Sequence, residues 1–118
     1  ATIARRFFDQ SPLKNKIKLH IGNALDILSG LNETWDLVFI DADKPGYISY
    51  FETIIGQVRK NGFILADNIF FHGQIFDENP SGKSAKAIKA FNDFINHRSD
   101  IDKLVLTIRD GLYLMRKM

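Results

Sequence analysis

Two unbroken apolar runs, Leu37-Val38-Phe39-Ile40 and Phe63-Ile64-Leu65-Ala66, lie one helix-length apart. A run of four without a polar break fits a strand covered on both faces, as in parallel sheets flanked by helices. Between the runs, Pro45 and Gly46 break the chain. Tyr47, Tyr50, Phe51, Ile54, Ile55 and Val58 then recur at helical spacing. Asn61-Gly62 turns the chain into the second run. Strand, helix and strand in that order predict a crossover unit with parallel strands.

The flanking segments extend the alternation. Residues 1–8 read as a helix with Ile3, Phe7 and Phe8 on one stripe and Arg5 and Arg6 turned outward, closed by Pro12. Ile17-Lys18-Leu19-His20-Ile21 alternates with period two, a strand with one buried face. Ala24, Leu25, Ile27, Leu28 and Leu31 predict a short helix. After a loop from Phe70 to Ser84, Ser84 is expected to cap a helix buried through Ile88, Phe91, Phe94 and Ile95. Leu104 to Ile108, Arg109-Asp110-Gly111 and Leu112 to Met115 predict a closing antiparallel hairpin. The expected fold is α/β, a mostly parallel sheet with a C-terminal antiparallel hairpin.

Size and composition narrow the function classes. With 118 residues, the chain is one domain's worth. It has no cysteine, which excludes disulfides, thiolate metal sites and thiol nucleophiles. That composition fits a reducing compartment, and the expected location is cytoplasmic. No apolar run approaches a membrane span, and the first residues lack a signal peptide's pattern. A net charge of +2 neither demands nor forbids nucleic acid.

In open sheets of this class, ligands sit beyond the carboxyl ends of the strands. Beyond Ile40 come Asp41-Ala42-Asp43-Lys44, and beyond Ala66 come Asp67 and Asn68. Singly, Asp and Asn after strands are common turn formers and caps. As parallel neighbours, however, the two strands would bring Asp41, Asp67 and Asn68 into one small volume. Oxygen-only donors suit a hard divalent cation such as Mg²⁺, Ca²⁺ or Mn²⁺. Lys44, one turn beyond Asp41, would reach a proton on a substrate oxygen acidified there.

WDLVFIDADKPGYISYF followed by NGFILADNIFFHG resembles the cation-dependent O-methyltransferases, which include the caffeoyl-CoA and catechol enzymes. KIKLHIGNALDIL, KAIKAFNDFI and RDGLYLMRK extend the resemblance over nearly the whole chain. It implies a Rossmann-like methyltransferase sheet and methyl transfer from S-adenosylmethionine to a hydroxyl. It implies Asp41, Asp67 and Asn68 as metal ligands, Lys44 as the base and His72 as a substrate contact. Ala24, Asp43 and Asp41 would contact S-adenosylmethionine, although Asn23 stands where relatives often carry Asp. Catechols, acyl-CoA phenolics and hydroxylated tRNA bases are the substrate classes this resemblance implies.

The family's glycine-rich turn and first two strands have no counterpart here. Residues 1–118 are therefore expected to be a single, N-terminally truncated methyltransferase domain that begins within a helix. The strand at Ile17 should be displaced, frayed or unusually paired, having lost its neighbours. An alternative expectation is a catalytically inactive fragment that folds partly, or self-associates as a homodimer, without binding cofactor.

Other motifs carry less. Ser81-Gly82-Lys83-Ser84 suggests a phosphate loop, but Asp77 stands where the first glycine is needed. A phosphorylatable receiver domain would need an acidic pair after an earlier strand, where His20-Ile21-Gly22 occurs. His20 reads as a surface residue and His97 as a partner of the last helix's C-terminus. Trp35, Tyr47 and Tyr50 read as core.

Overall fold

The computed structural model describes residues 1–118, which form two compact units, Ala1–Leu31 and Asn32–Met118. In the first unit, helix α1 spans Thr2–Gln10. Its exit is set by Pro12, which holds Ser11 extended at φ −72° and ψ 140° while the Ser11 hydroxyl accepts the Leu13 N–H at 3.1 Å. Helix α2 spans Ala24–Gly30. Asn23 caps it, its Oδ1 accepting the N–H groups of Leu25 at 2.9 Å and Asp26 at 3.4 Å. The expected strand over Ile17–Ile21 belongs to no ladder. Its alternating pattern marks an amphipathic segment, but a strand exists only where a neighbour supplies hydrogen bonds. Residues 17–21 therefore stand outside the sheet, unpaired as strands.

The second unit is built on strands β1 (Trp35–Ile40), β2 (Val58–Asp67), β3 (Ile101–Leu106) and β4 (Leu112–Lys117), in the order β1-β2-β4-β3. β1 and β2 are parallel, joined through helix α3 (Tyr47–Ile55). β2 with β4 and β3 with β4 are antiparallel, so the four-stranded sheet is mixed. Helix α4, Lys83–Asn96, precedes the hairpin.

Alternation along the strands sorts the two faces. Ile40, Ile64, Ala66, Tyr113 and Met115 are buried with Phe51 and Ile54 of α3 and Ile88, Phe91 and Ile95 of α4. Tyr47 meets Phe91 edge to face at 5.4 Å, and Phe51 meets Phe94 likewise at 5.9 Å. The other face leaves Leu37 and Phe39 each 57% exposed. The run Leu37–Ile40 is thus buried on one face, not on both, because α3 and α4 form a single helical layer in this unit.

Three local expectations are corrected. Asn61-Gly62 lies inside β2, not before it. Asn61 has φ 62°, and the pairing with β1 shifts register between Trp35 and Leu37. A Cβ on Gly62 would meet the Arg59 carbonyl oxygen at 2.9 Å, so the irregularity requires a glycine. Ser84 does not cap α4: the helix starts one residue earlier, and Gly82 at φ 87° takes the cap position without a side-chain bond. Tyr50 and Trp35 are half-buried and not in the core. His97 does meet the end of α4, its Nδ1 2.7 Å from the Asp93 carbonyl oxygen.

Candidate active site

Parallel pairing aligns Ile40 with Ala66, so the residues that follow both strands open on one edge of the sheet. Lys44 crosses this edge. Its Nζ donates to the Tyr47 hydroxyl, to Asn68 Oδ1 at 3.1 Å and to the Asp67 carbonyl oxygen at 3.3 Å, with Asp41 Oδ1 at 3.6 Å. An ammonium has three donors, and these three acceptors occupy them. The Lys44 side chain is 13% exposed and that of Asp41 55%. Lys44 thus meets Asp41 and Asn68 through their side-chain oxygens and Asp67 through its main-chain carbonyl, not its carboxylate.

Local backbone chemistry makes the corner possible. Asn68 has φ 60°, which Asn tolerates better than most residues, and its N–H donates to Asp67 Oδ1 at 2.8 Å. Asp67 thereby closes its own turn while its carbonyl faces Lys44. Tyr47, read from the sequence as core, is fully buried, but its hydroxyl also lies in the site. It donates to the Asp67 carbonyl at 3.0 Å, with the Ile40 carbonyl oxygen at 3.4 Å. Burial, then the negative charge of Asp41, pushes this phenol far above the ordinary range against the lowering effect of the Ala42 backbone. It is a neutral donor at physiological pH. The available signal was its place three residues after Lys44, one helical turn on.

The other predicted residues have separate surroundings. Asp43 precedes the 3₁₀ turn Lys44–Gly46, and its Oδ1 accepts from the Tyr50 hydroxyl. That contact crosses Gly46, where a Cβ would lie 2.6 Å from the Tyr50 ring. His72 is not drawn into the Lys44 cluster. Its N–H donates to Asp110 Oδ1 at 2.8 Å, and its side chain is 76% exposed. Ala24 opens α2 in the first unit.

The donors suit a divalent cation in kind. Asp41 and Asn68 turn side-chain oxygens toward the same ammonium, while the Asp67 carboxylate accepts the N–H of Asn68 beside them. No three of His, Cys, Asp or Glu lie together as a metal-holding group, so a cation set here would have to count the Asn68 amide oxygen as a donor. Hard cations accept that substitution.

The model of the O-methyltransferase family matches residues 1–118. The chain belongs to the O-methyltransferase family. This O-methyltransferase chain is 37% identical over 121 residues to a Dictyostelium discoideum protein named "Probable caffeoyl-CoA O-methyltransferase 1", covering 98% of the chain and 53% of that relative. It is 32% identical to the catechol O-methyltransferase of Niastella koreensis, covering 90% and 50%. The S-adenosylhomocysteine-bound structure of the Podospora anserina methyltransferase PaMTH1 superposes with a TM-score of 0.86 at 29% identity, over 97% of this chain and 54% of that one. The chain thus spans about half the length of the relatives it matches. No helix is long and apolar enough to cross a membrane.

Proposed function

We propose that this O-methyltransferase domain takes part in methyl transfer from S-adenosylmethionine to one hydroxyl of a small catechol-like substrate, assisted by a divalent cation. The observation that carries the reading is the convergence of Asp41, Lys44, Tyr47, Asp67 and Asn68 at the ends of two parallel strands. Similarity to proteins named for caffeoyl-CoA and catechol supports the substrate class.

Asp41, Asp67 and Asn68 would hold the cation, whose charge makes a substrate hydroxyl easier to deprotonate. Asp43 and Asp41 would contact S-adenosylmethionine, which supplies the electrophilic methyl group. Lys44 in its free-base form takes the hydroxyl proton at Nζ. The ammonium so formed is received by three acceptors already in place. Its charge also stays beside the developing oxyanion, which favours the charge-separated state. His72, held through its backbone by Asp110, would meet the substrate from the loop after β2.

The exposed sheet face around Leu37 and Phe39 favours a second reading, a chain that folds and self-associates without cofactor. Calorimetric titration of S-adenosylmethionine into the chain with Mg²⁺ separates the two. The first expects saturable binding at micromolar concentration, weakened when Mg²⁺ is removed. Absence of heat at millimolar cofactor would overturn it for this chain and leave the second.

A further inference from the structure

We propose that Tyr47 is a positioning residue: its hydroxyl fixes the Lys44 amine against the carboxyl ends of β1 and β2. The catalytic consequence rests on the methyl-transfer reading; the positioning does not.

A lysine stem has four rotatable carbons, so an amine that must meet one substrate oxygen has to be held. Two of the groups around Lys44 are poor anchors. Asp41 is half exposed with its oxygen 3.6 Å away, and Asn68 sits in a turn at positive φ. Tyr47 differs from both. Its ring is fully buried and braced edge to face by Phe91, and it opens α3 only three residues after Lys44.

The hydroxyl's geometry uses all of its capacity. Its single proton goes to the Asp67 carbonyl at 3.0 Å, and its lone pairs accept from Lys44. The Asp67 carbonyl also accepts from Lys44 at 3.3 Å, closing a ring of amine, phenol and carbonyl. One buried side chain therefore supplies an acceptor and a tie to the backbone of the neighbouring strand.

Tyr47→Phe removes the oxygen while leaving the ring and its packing on Phe91. Acetylation of lysines with limiting N-hydroxysuccinimidyl acetate, read peptide by peptide by mass spectrometry, reports how often each amine is free. In the unaltered chain Lys44 should react more slowly than exposed Lys60. In Tyr47→Phe the Lys44 rate should rise roughly ten- to a hundredfold, the effect of one lost charge-assisted hydrogen bond. Lys103 and Lys117, each held by backbone carbonyls elsewhere, are internal controls and should not change. An unchanged Lys44 rate overturns the proposal, as does a rise shared by Lys103 and Lys117, which marks a general loosening. Where methyl transfer is measurable, the same variant should lower kcat with KM unchanged. If the unaltered chain transfers no methyl group, the functional reading fails while the labelling still decides the role of Tyr47.

Discussion

All three tyrosines of the chain have phenol pKa values raised by their surroundings. The causes differ: burial for Tyr47 and Tyr113, and for Tyr50 chiefly the hydrogen bond to Asp43. A raised folded-state value means that the folded chain keeps a proton that the unfolded chain loses near pH 10. The stability this linkage contributes is complete below that pH and is lost as pH rises through the folded values. Phenolate absorbance during alkaline titration should therefore stay low in the native protein where the urea-unfolded chain has already ionised. A native midpoint equal to the unfolded one for any tyrosine would contradict the bond or burial assigned to it. The residue scale also shows what a pattern of types cannot carry. Asp41, Lys44, Asp67 and Asn68 were legible because acids and amides after apolar runs stand out against their neighbours. Tyr47 and Tyr50 fall on the helical stripe, where burial explains an aromatic ring and leaves its hydroxyl unread.

Elements show a similar division between local signal and missing partner. The Asp-Gly pair correctly announced the β3–β4 hairpin, whose turn has a second task. Its backbone accepts from the loop after β2: the Gly111 carbonyl takes the Ile69 N–H at 3.2 Å, and the Asp110 carbonyl takes the Phe70 N–H at 2.9 Å. Gly111 has φ 81°, and a Cβ there would lie 2.7 Å from the Phe70 ring. The turn thus grips the segment that follows Asn68 and carries His72. Gly111→Ala adds both a conformational penalty and a contact with a ring. It should cost about 2 kcal/mol or more in urea denaturation, with the slope unchanged. A change under about 0.5 kcal/mol would mean that loop and turn move apart freely. Such a partner is invisible in sequence because the residues that meet lie some forty positions apart. The same limit explains the segment Ile17–Ile21. Its alternation describes a strand's faces, but pairing depends on neighbours that no local pattern supplies.

At the scale of the whole molecule, the apolar run of β1 and the exposure of its outer face pull in opposite directions. Register aligns Phe39 with Leu65, Leu65 with Leu114, and Leu114 with Leu104, so one row of apolar side chains crosses all four strands. Phe39 and Leu104, at the two ends of that row, are 57% and 56% exposed. A strand composed like β1 suits cover on both faces, and α3 and α4 provide it on one. Contiguous apolar surface of this kind attracts either dye or another copy of the chain. Replacing Phe39 and Leu104 together by Glu should therefore weaken the binding of an anilinonaphthalene dye and shift sedimentation at high concentration toward monomer. Both side chains are already largely in water, so the thermal midpoint should change little, since substitutions at exposed sites usually fall within about 0.5 kcal/mol. Unchanged dye binding and sedimentation would show that this face is covered in solution. A large loss of stability would show instead that the row contributes to the fold, and the helical side would no longer account for the core alone.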